Sequence, residues 1–256
     1  MNSQPRGREG RERAFWLFRV LRALAVCSSV AGCPKPQTIA GPAPEPAALY
    51  AEVQAAHRVP QTMSCDAKAF VEAQQNGGRY SLHILVKRPR SLRIEALTPM
   101  GDPAAVLVAD DGQFALLDLR NNVFYRGPAT PENLSRLIPA PLTPDELVAL
   151  LTGAPPDGRP WDSKREGDGY RLRLGIDTVT LGADLRVLHV ARGDLWHVDL
   201  DDHDDSSGAQ VPRTLHLEAK DTKVDLRTRN HAYGQPPPPQ AFRLQPPAGM
   251  RVEEVQ

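Results

Sequence analysis

The spacing of apolar residues changes from helical to alternating near the start of the folded part of the chain. Apolar side chains between residues 47 and 56 recur at helical spacing, and Pro60 ends the helix that this predicts. From residue 62 onward apolar and polar side chains alternate, and turn-forming segments such as 76–78 and 121–122 separate the runs. This pattern predicts an antiparallel meander. Its strands are expected at residues 62–74, 80–87, 92–96, 106–108, 114–119, 123–125, 170–174, 177–181, 186–192, 195–200, 214–219 and 223–230.

Two stretches in the middle of the chain predict helices. Residues 130–138 and 143–153 each begin with Thr-Pro and an acidic residue, a favourable helix start with proline at the first helical position. Gly153 is suited to ending the second helix. The chain is therefore mainly β, with a small helical insert between two groups of strands.

Part of the predicted sheet is apolar on both faces. Residues 106–108, 115–117 and 123–125 are apolar at consecutive positions, whereas a sheet with one solvated face alternates. Something apolar should lie over the second face, and the two predicted helices are the candidates. Their apolar stripes can serve as ordinary core or as a lid over a cavity. The stripes consist of Leu134, Leu137, Ile138, Leu147, Leu150 and Leu151.

The amino terminus has the features of an export signal. Residues 1–13 are rich in arginine. The part of the following apolar stretch that carries no charge, residues 23–31, is far shorter than the roughly 20 residues of a membrane-spanning helix. Residues 30–33, Val-Ala-Gly-Cys, resemble the bacterial lipobox. That resemblance implies that Cys33 carries lipid, palmitate included, and is the first residue of the mature protein. The alternative is an ordinary signal peptide cut at another small residue, with Cys33 incidental.

These features divide the chain into three parts. Residues 1–32 form the predicted signal peptide, and residues 33–46 form a lipidated cysteine with a proline-rich tether that favours extended geometry. Residues 47–256 form one folded domain. Arg19 and Arg22 interrupt the apolar part of the signal, which leaves open a start downstream of Met1.

Charge and cysteine content narrow the function classes. The whole chain has no formal net charge, and removing residues 1–32 leaves an excess of about four acidic side chains. No basic patch suited to nucleic acid remains. Cys65 is then left without a partner cysteine and is expected to be a small buried apolar side chain. Trp161 and Trp196 are expected in the core or at a rim.

Candidate chemistry is sparse. Residues 197–205 concentrate His and Asp side chains, but the loop and spacing typical of calcium or zinc sites are absent, so a solvated acidic loop is the expectation. No nucleophile elbow, phosphate-binding glycine loop or metalloprotease motif occurs in the sequence. We therefore expect no enzyme, no cofactor and no metal.

Most of residues 47–255 resemble the LolA/LolB-like lipoprotein carriers. The segment IEALTPMGDPAAVLVADDGQFALLDLRNNVFYRG, the helix PAPLTPDELVALLTG, and the tail segments PRTLHLEAKDTKVDLRTRN and FRLQPPAGMRV carry the resemblance. It implies a highly curved, incompletely closed antiparallel β-barrel, with helices covering its mouth and an apolar hollow for acyl chains. In LolB a protruding loop bears an apolar residue that touches the membrane. Pro99, Met100 and Gly101 match that loop, and Met100 is either this tip or a turn residue folded back onto the sheet.

The resemblance implies an envelope lipoprotein that binds acyl chains or lipoproteins and helps their transport or insertion at the outer membrane. Pro34 after the lipidated cysteine is not the acidic residue associated with inner-membrane retention, so the domain is expected to face the periplasm from the outer membrane. Expected partners are lipids or lipoproteins, with a periplasmic carrier as a further candidate, and the chain is expected to be a monomer. The alternative is a structural or assembly lipoprotein of the envelope that uses the same fold without carrying cargo.

Overall fold

The computed structural model describes residues 41–56, 60–73, 77–205 and 210–256. The predicted signal peptide, Cys33 and most of the tether lie outside these residues. The described chain contains three helices, α1 (Pro46–Ala56), α2 (Pro131–Leu134) and α3 (Pro144–Thr152). Its strands are β1 (Thr62–Ala73), β2 (Gly78–Lys87), β3 (Ser91–Leu97), β4 (Pro103–Asp110), β5 (Gln113–Asp118), β6 (Val123–Pro128), β7 (Pro160–Glu166), β8 (Gly169–Leu174), β9 (Asp177–Leu181), β10 (Val187–Arg192), β11 (Trp196–Asp204), β12 (Val211–Ala219), β13 (Thr222–Tyr233) and β14 (Arg251–Glu254).

All these strands belong to one sheet that does not close. Two meanders, β1–β6 and β7–β13, are joined where β1 pairs with β13, and β7 and β14 form the two free edges. Every pairing is antiparallel except that of β14 with β6, which is parallel. The sequence-based prediction of a curved, incompletely closed antiparallel barrel is confirmed.

Most strand predictions agree with the structure, and the differences have local causes. Strand β7 is missing from the prediction because its sequence, PWDSKRE, has no alternation of apolar and polar residues. As an edge strand it needs few apolar side chains. Strand β14 is only four residues long and takes its place by pairing with β6. Strand β11 continues to Asp204 rather than ending at residue 200, because residues 201–204 pair with β12.

The first helix of the insert is shorter than expected. The stretch 130–138 was predicted to be helical throughout, but α2 ends after one turn at Leu134 and continues as turns. Pro139 lacks the N–H that would bond the Ser135 carbonyl, and its ring clashes with that carbonyl in a regular helix, so the helix does not continue through residues 135–138. Helix α3 matches its prediction more closely: Thr143 and Glu146 form a reciprocal capping box, and Gly153 ends the helix with φ 73°.

The main core lies on the inner face of the sheet, beneath α3 and the insert. Leu147, Val148, Leu150 and Leu151 pack there with the inward side chains of the strands. Helix α1 packs against β7 and β8 and contributes Leu49 and Val53 to the same core. The helices therefore cover the inner face.

The cover of the outer face is different from the expected one. Val106, Val108 and Phe124 point away from the inner core yet are buried, and the helices were the expected cover for that face. Instead the chain after β13 returns across the outside of β1–β6 before β14 pairs with β6. Arg93 on the outer face donates a hydrogen bond to the carbonyl of Ala241 at 3.1 Å in this segment. Its proline-rich sequence has no strand or helix pattern, so periodicity could not identify it as the cover.

Candidate functional site

A cavity of about 270 Å³ lies between the inner face of the sheet and the insert. Its volume is just below the range of roughly 300–1,000 Å³ typical of ligand sites. Apolar side chains from both meanders and from the insert form most of its wall. They are Ala69, Val71, Leu82, Ile84, Ile94, Ala96, Leu97, Ala104, Ala105, Leu116, Leu137, Ile138, Pro139, Ala140, Leu142, Leu147, Leu150, Leu151, Val198, Leu215, Leu217, Val224 and Leu226.

Five of the six insert residues proposed from sequence line this cavity: Leu137, Ile138, Leu147, Leu150 and Leu151. The sixth, Leu134, is fully buried in the core and does not line it. The helical insert, residues 130–153, is therefore part of the core and also the roof of the cavity, because its apolar side chains both pack on the sheet and line the cavity. The sequence left open whether these residues are ordinary core or a lid over a cavity. In the structure the same residues have both roles.

The cavity exists because the strands carry small side chains where they face it. Ala69, Ala96 and Ala105 come from three different strands and all line the wall. Ala96 pairs directly with Ala105, so two small side chains lie side by side on the inner face. An inward position held by alanine on adjacent strands was the sequence signal for a hollow, but it becomes visible only once the register is known.

Polar side chains line one part of the wall, at the turn between β5 and β6 and at the start of the α2–α3 connection. They include Asp118, Arg120, Asn121 and Arg136. The carboxylate of Asp118 accepts hydrogen bonds from the backbone N–H groups of Arg120 and Asn121, both at 3.1 Å, and from the Asn121 side chain at 2.8 Å. This turn is therefore held by Asp118. Since both arginines are exposed, this is where the cavity reaches solvent.

One partly buried arginine ties the roof to the sheet. Arg192 at the end of β10 donates two hydrogen bonds to Asp177, at 2.8 and 2.9 Å, and lies 2.5 Å from the carboxylate of Glu146. Its guanidinium also stacks over Trp196 with the carbon 5.0 Å from the ring centre. Hydrogen bonding to Asp177 raises the pKa of Arg192, so it stays charged. Glu146 also belongs to the α3 capping box, so a single network fixes the start of α3 to β9 and β10.

The two ends of the sheet differ in the turns that they present. We call the end of the sheet where β1 finishes and β2 begins the upper rim. Because the strand directions alternate, the start of β7 and five other turns lie at the same end. One of these turns is the polar β5–β6 turn that borders the cavity. Five of the eight large apolar side chains that are exposed among the described residues lie at this rim. They are Met100, Leu119, Trp161, Ile176 and Leu195. Opposite turns, such as those at residues 88–90, 111–112 and 167–168, are built from Arg, Pro, Asp and Gly.

Met100 is at the tip of the β3–β4 turn and is 91% exposed. Pro99 and Gly101 beside it are exposed as well. The arrangement in which this residue folds back onto the sheet is excluded by that exposure. Among the remaining aromatic candidates, Trp196 is buried in the core, whereas Trp161 is more than half exposed at the rim.

Part of the acidic segment is buried rather than solvated. Asp204 is 6% exposed and accepts a hydrogen bond from the Tyr233 hydroxyl at 3.2 Å. Arg213 lies 3.1 Å from its carboxylate and His231 lies 3.5 Å away. The expectation of a solvated loop is therefore wrong for Asp204, although Asp201, Asp202 and Asp205 are exposed. Within the described ranges, no three His, Cys, Asp or Glu side chains are placed to share a metal ion.

Folding stability is expected to fall as the pH drops below about 6.5. The side chain of His231 is 3% exposed, and burial lowers its pKa; burial lowers the pKa of His203 as well. In the unfolded chain both histidines take up protons at their ordinary pKa, so acid favours unfolding and the stability is fully present only above that pH. Urea unfolding between pH 8 and 5.5 measures this. His231→Gln should flatten the dependence. A slope identical to that of the parent chain would contradict the assignment.

Cys65 is an inert structural thiol. It is buried on the inner face, and burial raises its pKa to about 12. A thiol that stays protonated at neutral pH is a poor nucleophile, as expected from sequence.

Among the described helices, none is long and apolar enough to cross a membrane.

No family model matches the chain, and no curated protein matches it in sequence. Solved structures do match its fold. A LolA superfamily protein from Nitrosomonas europaea has a TM-score of 0.56 at 12% identity, covering 79% of this chain and 99% of the other. A putative outer membrane lipoprotein-sorting protein domain from Vibrio parahaemolyticus has a TM-score of 0.55 at 9% identity, covering 77% and 95%. A DUF1329 family protein from Desulfovibrio piger has a TM-score of 0.56 at 9% identity, covering 78% and 98%. The LolA-like fold expected from sequence is thereby confirmed.

Proposed function

We propose that this LolA-like chain is an envelope lipoprotein that holds the alkyl chains of lipids or lipoproteins in its inner-face cavity. The cavity carries the proposal: most of its wall is formed by Ala, Val, Leu and Ile, and its polar part lies at one turn. Such a wall binds by burial of apolar area, at about 0.8 kcal/mol per methylene, and requires no directional bond along the chain. The alternative of a structural subunit calls for a filled interior, and a hollow of this size argues against it.

The finer part of the proposal concerns location and transport. Cys33 would anchor the chain to the outer membrane with the domain in the periplasm, and the cargo would be passed to or from that membrane, with a periplasmic carrier as the delivering partner. The lipobox-like residues 30–33 and the matching folds of a LolA superfamily protein and a putative lipoprotein-sorting domain support this proposal.

Native mass spectrometry of the purified chain, before and after addition of a lipoprotein or phospholipid, tests the proposed binding. We expect mass additions that correspond to bound lipid and that disappear when a competing fatty acid is added in excess. A chain that stays free of added mass under all these conditions, while remaining folded, would overturn the carrier function.

The upper rim is expected to face the bilayer, with Met100 at its tip. A tryptophan placed there by Met100→Trp should be quenched by phospholipids with brominated acyl chains when the intact chain is reconstituted in phosphatidylethanolamine and phosphatidylglycerol vesicles. The matched control is Ala183→Trp, in the exposed turn between β9 and β10 at the opposite end. The extra tryptophan emission of this variant, taken as its difference from the emission of the parent chain, should not be quenched. Equal quenching at both positions would remove the assignment of Met100 as the membrane-contacting residue.

A further inference from the structure

The polar part of the cavity wall has more positive than negative charge. Arg120 and Arg136 line it together with one acidic side chain, Asp118. The oxygens of Asp118 are already used by the N–H groups of the β5–β6 turn. Among the described residues, no carboxylate lies within ion-pair distance of either arginine.

The two arginines are held near the opening without being neutralised. The guanidinium of Arg136 stacks over Tyr125, with its carbon 4.6 Å from the ring centre, a contact that positions the group and leaves its N–H donors available. The backbone of Arg120 is fixed in the turn by Asp118. A guanidinium presents a planar fork of donors that matches a carboxylate or phosphate.

We infer that Arg120 and Arg136 form a head-group subsite, and that the cavity takes an amphiphile with an anionic carboxylate or phosphate head. This inference rests on the proposed lipid binding and specifies the chemical class of the ligand. The alkyl chain occupies the apolar wall beneath α3, and the head group remains at the opening. Free phosphate lacks the chain and therefore should not bind.

Competition against a fluorescent fatty acid separates the chain from the head group. Dodecanoate, dodecyl phosphate and dodecanol share one alkyl chain and differ only in the head, and inorganic phosphate supplies the head alone. For the wild-type chain at neutral pH we expect both anionic amphiphiles to bind about tenfold more tightly than dodecanol, and phosphate not to compete.

The double variant Arg120→Gln/Arg136→Gln should bind all three amphiphiles with the affinity that the wild type has for dodecanol. The double variant Arg120→Lys/Arg136→Lys should keep most of the preference for anionic heads because it keeps both positive charges. Arg79→Gln is the matched control: Arg79 is an exposed arginine of the same rim, stacked over Phe70, that does not line the cavity. It should behave as wild type.

Different failures have different meanings. Equal wild-type affinity for dodecanoate and dodecanol would overturn the head-group subsite and leave the lipid-binding cavity intact. Loss of dodecanol binding in the Gln/Gln variant would also overturn it, because the arginines would then shape the cavity rather than contact a head group. If the wild type bound none of the three amphiphiles, the proposed function itself would fall together with this inference.

Discussion

Ala96→Phe is expected to lower the affinity for alkyl ligands at least about tenfold, since a ligand excluded from the cavity loses the burial of several methylenes. Ala96 is on the inner face of β3 and lines the wall. Its neighbours in register, Leu82 and Ala105, line the wall too. A benzyl group at this position therefore extends into the hollow, where it occupies much of the volume of about 270 Å³.

The same change should leave the fold intact. Filling an existing cavity offsets the usual cost of a larger side chain, so the free energy of unfolding should change by no more than about 1 kcal/mol. Ligand titration with a fluorescent fatty acid and urea unfolding together measure the two effects. Ala183→Phe, in an exposed turn of the opposite end, is the control and should alter neither. Unchanged ligand affinity in a folded Ala96→Phe protein would show that ligands bind elsewhere.

Arg192→Met should destabilise the domain by about 3–5 kcal/mol, the usual cost of breaking a buried ion pair by removing one partner. The reason is the environment of the partner, since the side chain of Asp177 is only 4% exposed. Without Arg192 this carboxylate loses two hydrogen bonds, and the carboxylate of Glu146 loses its contact with the guanidinium. Urea unfolding at neutral pH measures the loss.

A second arginine provides the control for charge alone. Arg186 is paired with Asp184 and Asp205, whose side chains are largely exposed. Arg186→Met should therefore cost no more than about 1 kcal/mol. Equal losses for the two arginines would mean that burial of Asp177 is not what makes the Arg192 network strong. Asp177→Asn in the Arg192→Met background should recover part of the lost stability, because it removes the unpaired charge.

The Arg192 network also holds the roof of the cavity in place. Glu146 contributes both to the capping box of α3 and to the ion pair, so the roof of the cavity is held at this end by polar contacts rather than by packing alone. Hydrogen bonds and ion pairs break over short displacements, whereas apolar packing yields more gradually.

Much of the fold could be predicted from periodicity and turn residues. Alternation identified twelve of the strands, and the Thr-Pro-acid start at residues 143–145 and Gly153 identified the ends of α3. Strand β7 and the outer cover at residues 234–250 escaped, because an edge strand and an irregular segment carry no apolar period. For the site, Leu147, Leu150 and Leu151 were visible as a helical stripe. Arg120 and Arg136 were not, since a lone exposed arginine looks the same in any turn.

The sequence by itself determined the class of the molecule: a β-rich domain with a helical insert, no catalytic motif, and an amino terminus that resembles a lipoprotein signal. These properties depend on local order along the chain, which is why a single sequence contains them. Only the tertiary structure decided that Asp204 is buried beside Arg213, that Arg192 joins β10 to α3, and that alanines on β1, β3 and β4 leave a hollow. Each of these depends on which side chains the strand pairing and helix packing bring together, and strand register is set by the packing of the whole sheet rather than by any one segment.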